Sequence, residues 1–121
     1  MRKLIKDNKV AVLYSPGCGA GLYTWNDDKE KILELIFLPE LITYVLEVRK
    51  NEKYGYEIDL NKVIDILNNH LELNISGDID DYYYLNGMYK AQVEWLNQGA
   101  PFHIDVTDTG SEYIVTDFLY A

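Results

Sequence analysis

Lys9-Val10-Ala11-Val12-Leu13-Tyr14-Ser15, halted at once by Pro16-Gly17, is the stretch on which the fold turns. A β-branched, apolar run of this length that ends in Pro-Gly has the pattern of a buried strand. Its neighbours come from the far end of the chain, where the apolar period is two from Tyr82 onward. Val93 and Trp95 alternate with Gln92 and Glu94; Phe102, Ile104 and Val106 with His103 and Asp105; Tyr113 and Val115 with Ile114 and Thr116. The breaks Asn97-Gln98-Gly99 and Asp108-Thr109-Gly110 carry hairpin chemistry. Between the two ends the period is helical. Pro39 takes a first helical position, and Leu38, Leu41, Ile42, Val45 and Leu46 recur on one face up to the basic pair Arg49-Lys50. Asp59 can cap a second helix whose stripe is Leu60, Val63, Ile64, Leu67 and Leu71. Residues 28–37 suggest only a short helical turn of ambiguous period. The expectation is one α+β domain over residues 1–121: an N-terminal strand, two helices, then an antiparallel meander that recruits the first strand into one sheet.

Composition agrees with a single globular domain. The 121 residues are 48% hydrophobic and 26% charged, with one cysteine and two histidines. One cysteine excludes an internal disulfide, and His70 and His103 have no ligand spacing, so no metal site is expected. Met1-Arg2-Lys3-Leu4-Ile5-Lys6-Asp7 begins like a signal peptide, but charges interrupt it before an apolar core forms. No apolar run is long enough for a membrane span. A cytoplasmic protein is expected.

The charge of −9 is unevenly placed. Residues 1–53 hold nine Lys/Arg against eight Asp/Glu; residues 54–121 hold only Lys62 and Lys90 against twelve acids. A DNA or RNA backbone requires a basic face, because neutralised phosphates supply most of the affinity. The C-terminal half cannot provide one, so nucleic acid is not an expected partner. A phosphate-bearing ligand would have to be small, and met by the N-terminal half or by backbone amides.

Directly after the first strand comes Ser15-Pro16-Gly17-Cys18-Gly19-Ala20-Gly21-Leu22-Tyr23-Thr24-Trp25-Asn26. Alternating glycines can take positive φ and bring successive N–H groups around an anion. Tyr23 and Trp25 then offer flat surfaces to a base or sugar. This is neither a dinucleotide fingerprint nor a P-loop: the glycines run G-x-G-x-G, and no Gly-Lys-Ser/Thr occurs. Cys18 has no neighbouring histidine in sequence and reads as a small filler rather than a nucleophile.

Other motifs point less sharply. Asp108-Thr109-Gly110-Ser111 matches the aspartic-protease signature, but only ten residues follow it, too few for the enclosing flap and sheet; turn chemistry explains it better. Tyr82-Tyr83-Tyr84 offers stacking surface, of which alternation would send Tyr82 and Tyr84 to one face. Glu94 and Glu112 could pair across strands. No catalytic constellation, metal or cofactor is expected.

Val12-Leu13-Tyr14-Ser15-Pro16-Gly17-Cys18-Gly19-Ala20-Gly21 with Thr24-Trp25-Asn26 resembles a family of small phage and prophage proteins. So does the later series Val93-Glu94-Trp95, Gly99, Phe102, Ile104 and Gly110-Ser111-Glu112. These are the sponge proteins that inhibit the Thoeris anti-phage system, the first-described Thoeris anti-defence family. The motifs cover about half of the chain. The resemblance implies an inhibitor that captures a cyclic ADP-ribose signal from a TIR-domain enzyme without cleaving it, with cyclic oligonucleotides as a second ligand class. It also implies a homo-oligomer, a hexamer among the forms, holding ligand near protomer contacts. The expected ligand-binding residues are Ser15, Gly17, Cys18, Gly19, Ala20, Gly21, Tyr23, Trp25, Arg49, Tyr84 and His103. His103 stands where a more strongly cationic residue would be expected. Two other classes compete. An acidic protein-binding inhibitor or DNA mimic would use Asp78, Asp80 and Asp81; a nucleotide-cleaving enzyme would use Asp27, Asp28 or Glu94.

Overall fold

The computed structural model describes residues 1–17, 21–24, 28–50, 58–71 and 87–116. The α+β class holds. Strands β1 (Ile5–Lys6) and β2 (Lys9–Tyr14) are followed by helices α1 (Lys29–Phe37), α2 (Pro39–Lys50) and α3 (Leu60–His70). A 3₁₀ turn at Met88–Lys90 leads into β3 (Gln92–Asn97), and β4 (His103–Val106) and β5 (Glu112–Val115) complete the described elements.

β2 is the centre of the larger sheet, whose order is β1-β2-β3, antiparallel throughout. It meets the C-terminal strand β3 in full register from Lys9 opposite Asn97 to Tyr14 opposite Gln92. Val10, Ala11, Val12 and Leu13 are all buried, so both faces of the strand are covered. That is why this run lacks the polar alternate residue of a half-exposed strand. α1 packs on β2, α2 packs on β2 and β3, and α3 packs on α2. Leu35, Ile36, Leu41, Ile42, Val45, Val63 and Leu67 join the strand residues in one core cluster. Each such side chain contributes about 1.5–3 kcal/mol on burial.

Four expectations are corrected, and one strand is added to them. The strands form two sheets rather than one: β4 and β5 make a separate antiparallel pair. Consequently Asn97-Gln98-Gly99 is not a hairpin but the turn where the chain leaves the larger sheet. Gly99 supplies φ 82°, and the Ala100 N–H donates to the Asn97 carbonyl at 3.0 Å. Residues 29–37 form a full helix, because Asp28 accepts from the Lys31 N–H and Ile32, Leu35 and Ile36 all find the core. Residues 88–90 are a 3₁₀ turn rather than strand. Finally, the charged N-terminus is itself strand, turned by Asp7 and Asn8 at φ 54° and 63°, the left-handed pair of a tight hairpin. The Asp108-Thr109-Gly110 turn is a hairpin as expected, with Gly110 at φ 87°. No helix among the described residues is long and apolar enough to cross a membrane.

Candidate functional site

The glycine-rich loop leaves β2 at Ser15 and returns toward α1 through Leu22, Tyr23 and Thr24. Leu22 and Ser15 are fully buried, so both ends are rooted in the interior. What joins them is Glu112, the first residue of β5. Its Oε1 accepts from the Ser15 N–H at 2.9 Å, while its Oε2 accepts from the Thr24 N–H at 2.7 Å and the Thr24 hydroxyl at 2.8 Å. Its own N–H donates to the Ser15 carbonyl at 2.9 Å. This reciprocal pairing ties the small sheet to the end of β2. Glu112 is only 2% exposed. A buried carboxyl group is tolerated where its oxygens are hydrogen-bonded, and here the loop's own amides supply the donors.

The cross-strand pairing with Glu94 that the sequence allowed for Glu112 does not form: Glu94 lies opposite Val12, Glu112 lies opposite Val106, and the Glu112 carboxyl group clasps the loop. Two amides that could have served an external anion, those of Ser15 and Thr24, are directed at this internal one. A carboxyl group with both oxygens occupied is suited to holding geometry rather than to taking a proton from substrate.

Gly17 departs from the expected nest as well. Its φ lies outside the left-handed region, and glycine is needed there for closeness instead. A Cβ at this position would lie 2.3 Å from Lys90 Cγ and 2.5 Å from Lys90 Cβ. The stem of Lys90 therefore crosses the loop backbone at Gly17. Gly21 is buried. Tyr23 is half-buried against the core, and one face of its ring carries Lys29, whose ammonium lies 4.5 Å from the ring centroid and donates to the Tyr23 carbonyl at 2.7 Å. That ring is thus a cation-bearing surface before any base could stack on it.

Arg49 is drawn inward too. Its Nε and Nη2 donate to the Ala91 carbonyl at 2.9 and 2.8 Å, and Nη2 to the Tyr89 carbonyl at 3.1 Å. It ties the end of α2 to the entry of β3. His103 is exposed and stands on the hairpin face opposite Glu112. It pairs with Val115, whereas Glu112 pairs with Val106, three positions along the hairpin and on the opposite face. That is about 10 Å of strand. Asp105 on the same outer face pushes the Tyr113 phenol up, chiefly through its charge. Cys18, Gly19, Ala20, Trp25 and Tyr84 lie outside the described residues, as do Asp27, Asp78, Asp80 and Asp81.

Of the other acids weighed, Asp28 caps α1, with its side chain accepting from the Lys31 N–H at 3.2 Å. Glu94 is exposed on β3, and its charge adds to burial in pushing Tyr14 up. Neither is placed against the loop's clasp. Thr24 of the loop, and Lys29, Lys90 and Glu112, which reach it from α1, the 3₁₀ turn and β5, were not among the expected ligand-binding residues. Elsewhere, a cleft of about 230 Å³ lies between Val10, Val12, Phe37, Leu96 and Phe102, with Lys3 at its rim. It falls below the roughly 300 Å³ at which sites for drug-sized ligands begin. Among the described residues no cluster of metal-ligating side chains occurs. Comparison with known proteins adds no relative: no family model matches the chain, nor does any curated protein or solved structure.

Proposed function

We propose that this protein binds a small cyclic nucleotide of the cyclic ADP-ribose class at its glycine-rich loop and holds it without chemical change. On this reading it is a phage-encoded inhibitor that removes a TIR-derived second messenger in the cytoplasm of the infected bacterium. The observation that carries the reading is the clasped loop: a glycine-rich segment fixed at both ends by Glu112 and flanked by the ammonium-bearing side chains of Lys29 and Lys90. Anchoring Ser15 and Thr24 in this way lowers the entropy cost of capture, which a sponge requires. The resemblance in the residues around the loop supports the same class.

Sequestration also favours assembly. Nanomolar capture needs about −12 kcal/mol, which is demanding for a shallow site on one small domain. A homo-oligomer with ligand at or beside subunit contacts would supply a second wall. Two segments rich in aromatic residues that could form such contacts, Tyr82–Tyr84 and Phe118–Tyr120, lie outside the described residues; Tyr113, 43% exposed, is an aromatic surface residue within them.

The test is to incubate the protein with a cyclic ADP-ribose isomer, remove unbound material, denature by heat and identify what is released. Intact ligand is the expected product. Release of a linear or hydrolysed nucleotide would assign an enzyme instead.

A further inference from the structure

The cation best placed for the loop's ligand is not the one to which the sequence points. Arg49 bridges the carbonyls of Tyr89 and Ala91, the two residues that flank Lys90. A planar guanidinium that grips the backbone on both sides of one residue fixes that residue's position. Lys90 also ends the 3₁₀ turn, where the Ala91 N–H closes onto the Met88 carbonyl at 3.1 Å. From there its stem lies against Gly17 so closely that no side chain could stand at position 17. Three separate segments, the end of α2, the turn before β3 and the glycine-rich loop, thus cooperate to place one exposed lysine. An aliphatic residue would serve if only the packing mattered. Lysine adds a charge, in a part of the chain that otherwise holds only Lys62 as a cation among its many acids. Lys62 is used elsewhere, on α3 near the ring of Tyr44. Among the described residues no carboxylate pairs with Lys90.

We propose that Lys90 is the residue that meets the phosphate or pyrophosphate of the loop's ligand, and that Arg49 and Gly17 are positioning residues for it. The assignment rests on the loop being a ligand site and adds the group that recognises charge there.

The experiment titrates inorganic pyrophosphate and, separately, cyclic ADP-ribose into the native protein, Lys90→Gln, Lys90→Arg, Arg49→Gln and the Lys90→Gln/Arg49→Gln double variant. Affinity is measured at two salt concentrations and backbone amide resonances are followed. In the native protein both ligands should shift the Gly17 and Lys90 amides. Lys90→Gln keeps most of the stem and should weaken binding of both about tenfold or more, with a shallower salt dependence and an unchanged melting temperature. Lys90→Arg should retain most of the affinity. Arg49→Gln should weaken binding in the native background but add little to Lys90→Gln. Cyclic ADP-ribose bound equally well by Lys90→Gln would overturn the assignment while leaving the loop as the site. Full additivity of the two glutamine variants would make Arg49 a ligand contact and end its positioning role. If cyclic ADP-ribose fails to bind but pyrophosphate still shifts Gly17 and Lys90, the lysine assignment stands and the nucleotide reading falls. No shift with either ligand removes both.

Discussion

Glu112 shows how far one residue can organise a site. Removing its carboxyl group leaves the Ser15 and Thr24 amides buried or half-buried without their acceptor, and an orphaned buried donor costs about 1–3 kcal/mol. Glu112→Ala should therefore destabilise the protein by about 2–4 kcal/mol in urea titration, and hydrogen exchange at Ser15 and Thr24 should accelerate more than at the β2–β3 ladder. Uniform acceleration across the sheet would mean that Glu112 acts only on global stability. The glycines, the proline and the aromatic residues of this loop were legible because they are rare and lie close together. Glu112 was not, because a lone acid after a Gly-Ser turn looks like a solvent-facing residue. Nor was the role of Gly17: only the approach of Lys90, distant in sequence, shows that the missing Cβ matters for space rather than for φ.

At the level of elements, α2 and α3 were read more securely than the strand faces or α1. α3 has both signals a sequence can carry, a cap and a stripe. Asp59 accepts from the Asn61 N–H at 3.0 Å, and its own N–H donates to the Tyr44 hydroxyl at 3.0 Å, which ties the cap to α2. Asp59→Ala should cost about 1 kcal/mol, measurable as a lower unfolding midpoint with unchanged cooperativity. A neutral result would mean that the Tyr44 contact alone fixes the start of the helix. β5 misleads because its apolar residues fall on both phases. Tyr113 and Val115 look like the inward row, yet Ile114 opposite Ile104 and Glu112 opposite Val106 share the inward face, and Tyr113 faces water. In a strand of four residues the phase is set by what it packs against, here the carboxyl-to-loop clasp, and sequence alternation alone cannot fix it. The same limit explains the division into two sheets: whether β4 pairs with β3 depends on the path after Gly99, not on the residues of either strand.

Across the whole molecule, the N-terminus is tied to the helices by one polar cluster. Arg2 pairs through both terminal nitrogens with Glu40 at the start of α2, and His70 Nδ1, at the end of α3, lies 3.6 Å from Glu40 Oε1. The hydrogen bond from Arg2 holds the Glu40 carboxyl below its usual range, against a smaller opposing effect of burial. A carboxyl lowered in the folded state adds stability above its unfolded pKa, near 4.3 for glutamate, and loses it as pH falls through the lower folded value. Glu40→Gln should thus be slightly less stable than the native protein at pH 7, and the gap should close below pH ~4; the cluster is solvent-exposed, so the gap is small. A gap that persists at low pH would assign the loss to packing. The central claim concerns the other end of the molecule, that the loop clasped by Glu112 is where a cyclic nucleotide binds. Amide shift mapping of the labelled protein during titration with cyclic ADP-ribose tests it most directly. The account predicts saturable shifts concentrated at Gly17, Gly21, Tyr23, Thr24 and Lys90, with His103 and the outer face of the β4–β5 hairpin unmoved. Saturable shifts centred on that hairpin face, or on the Lys3 cleft, with the loop unmoved, would contradict it.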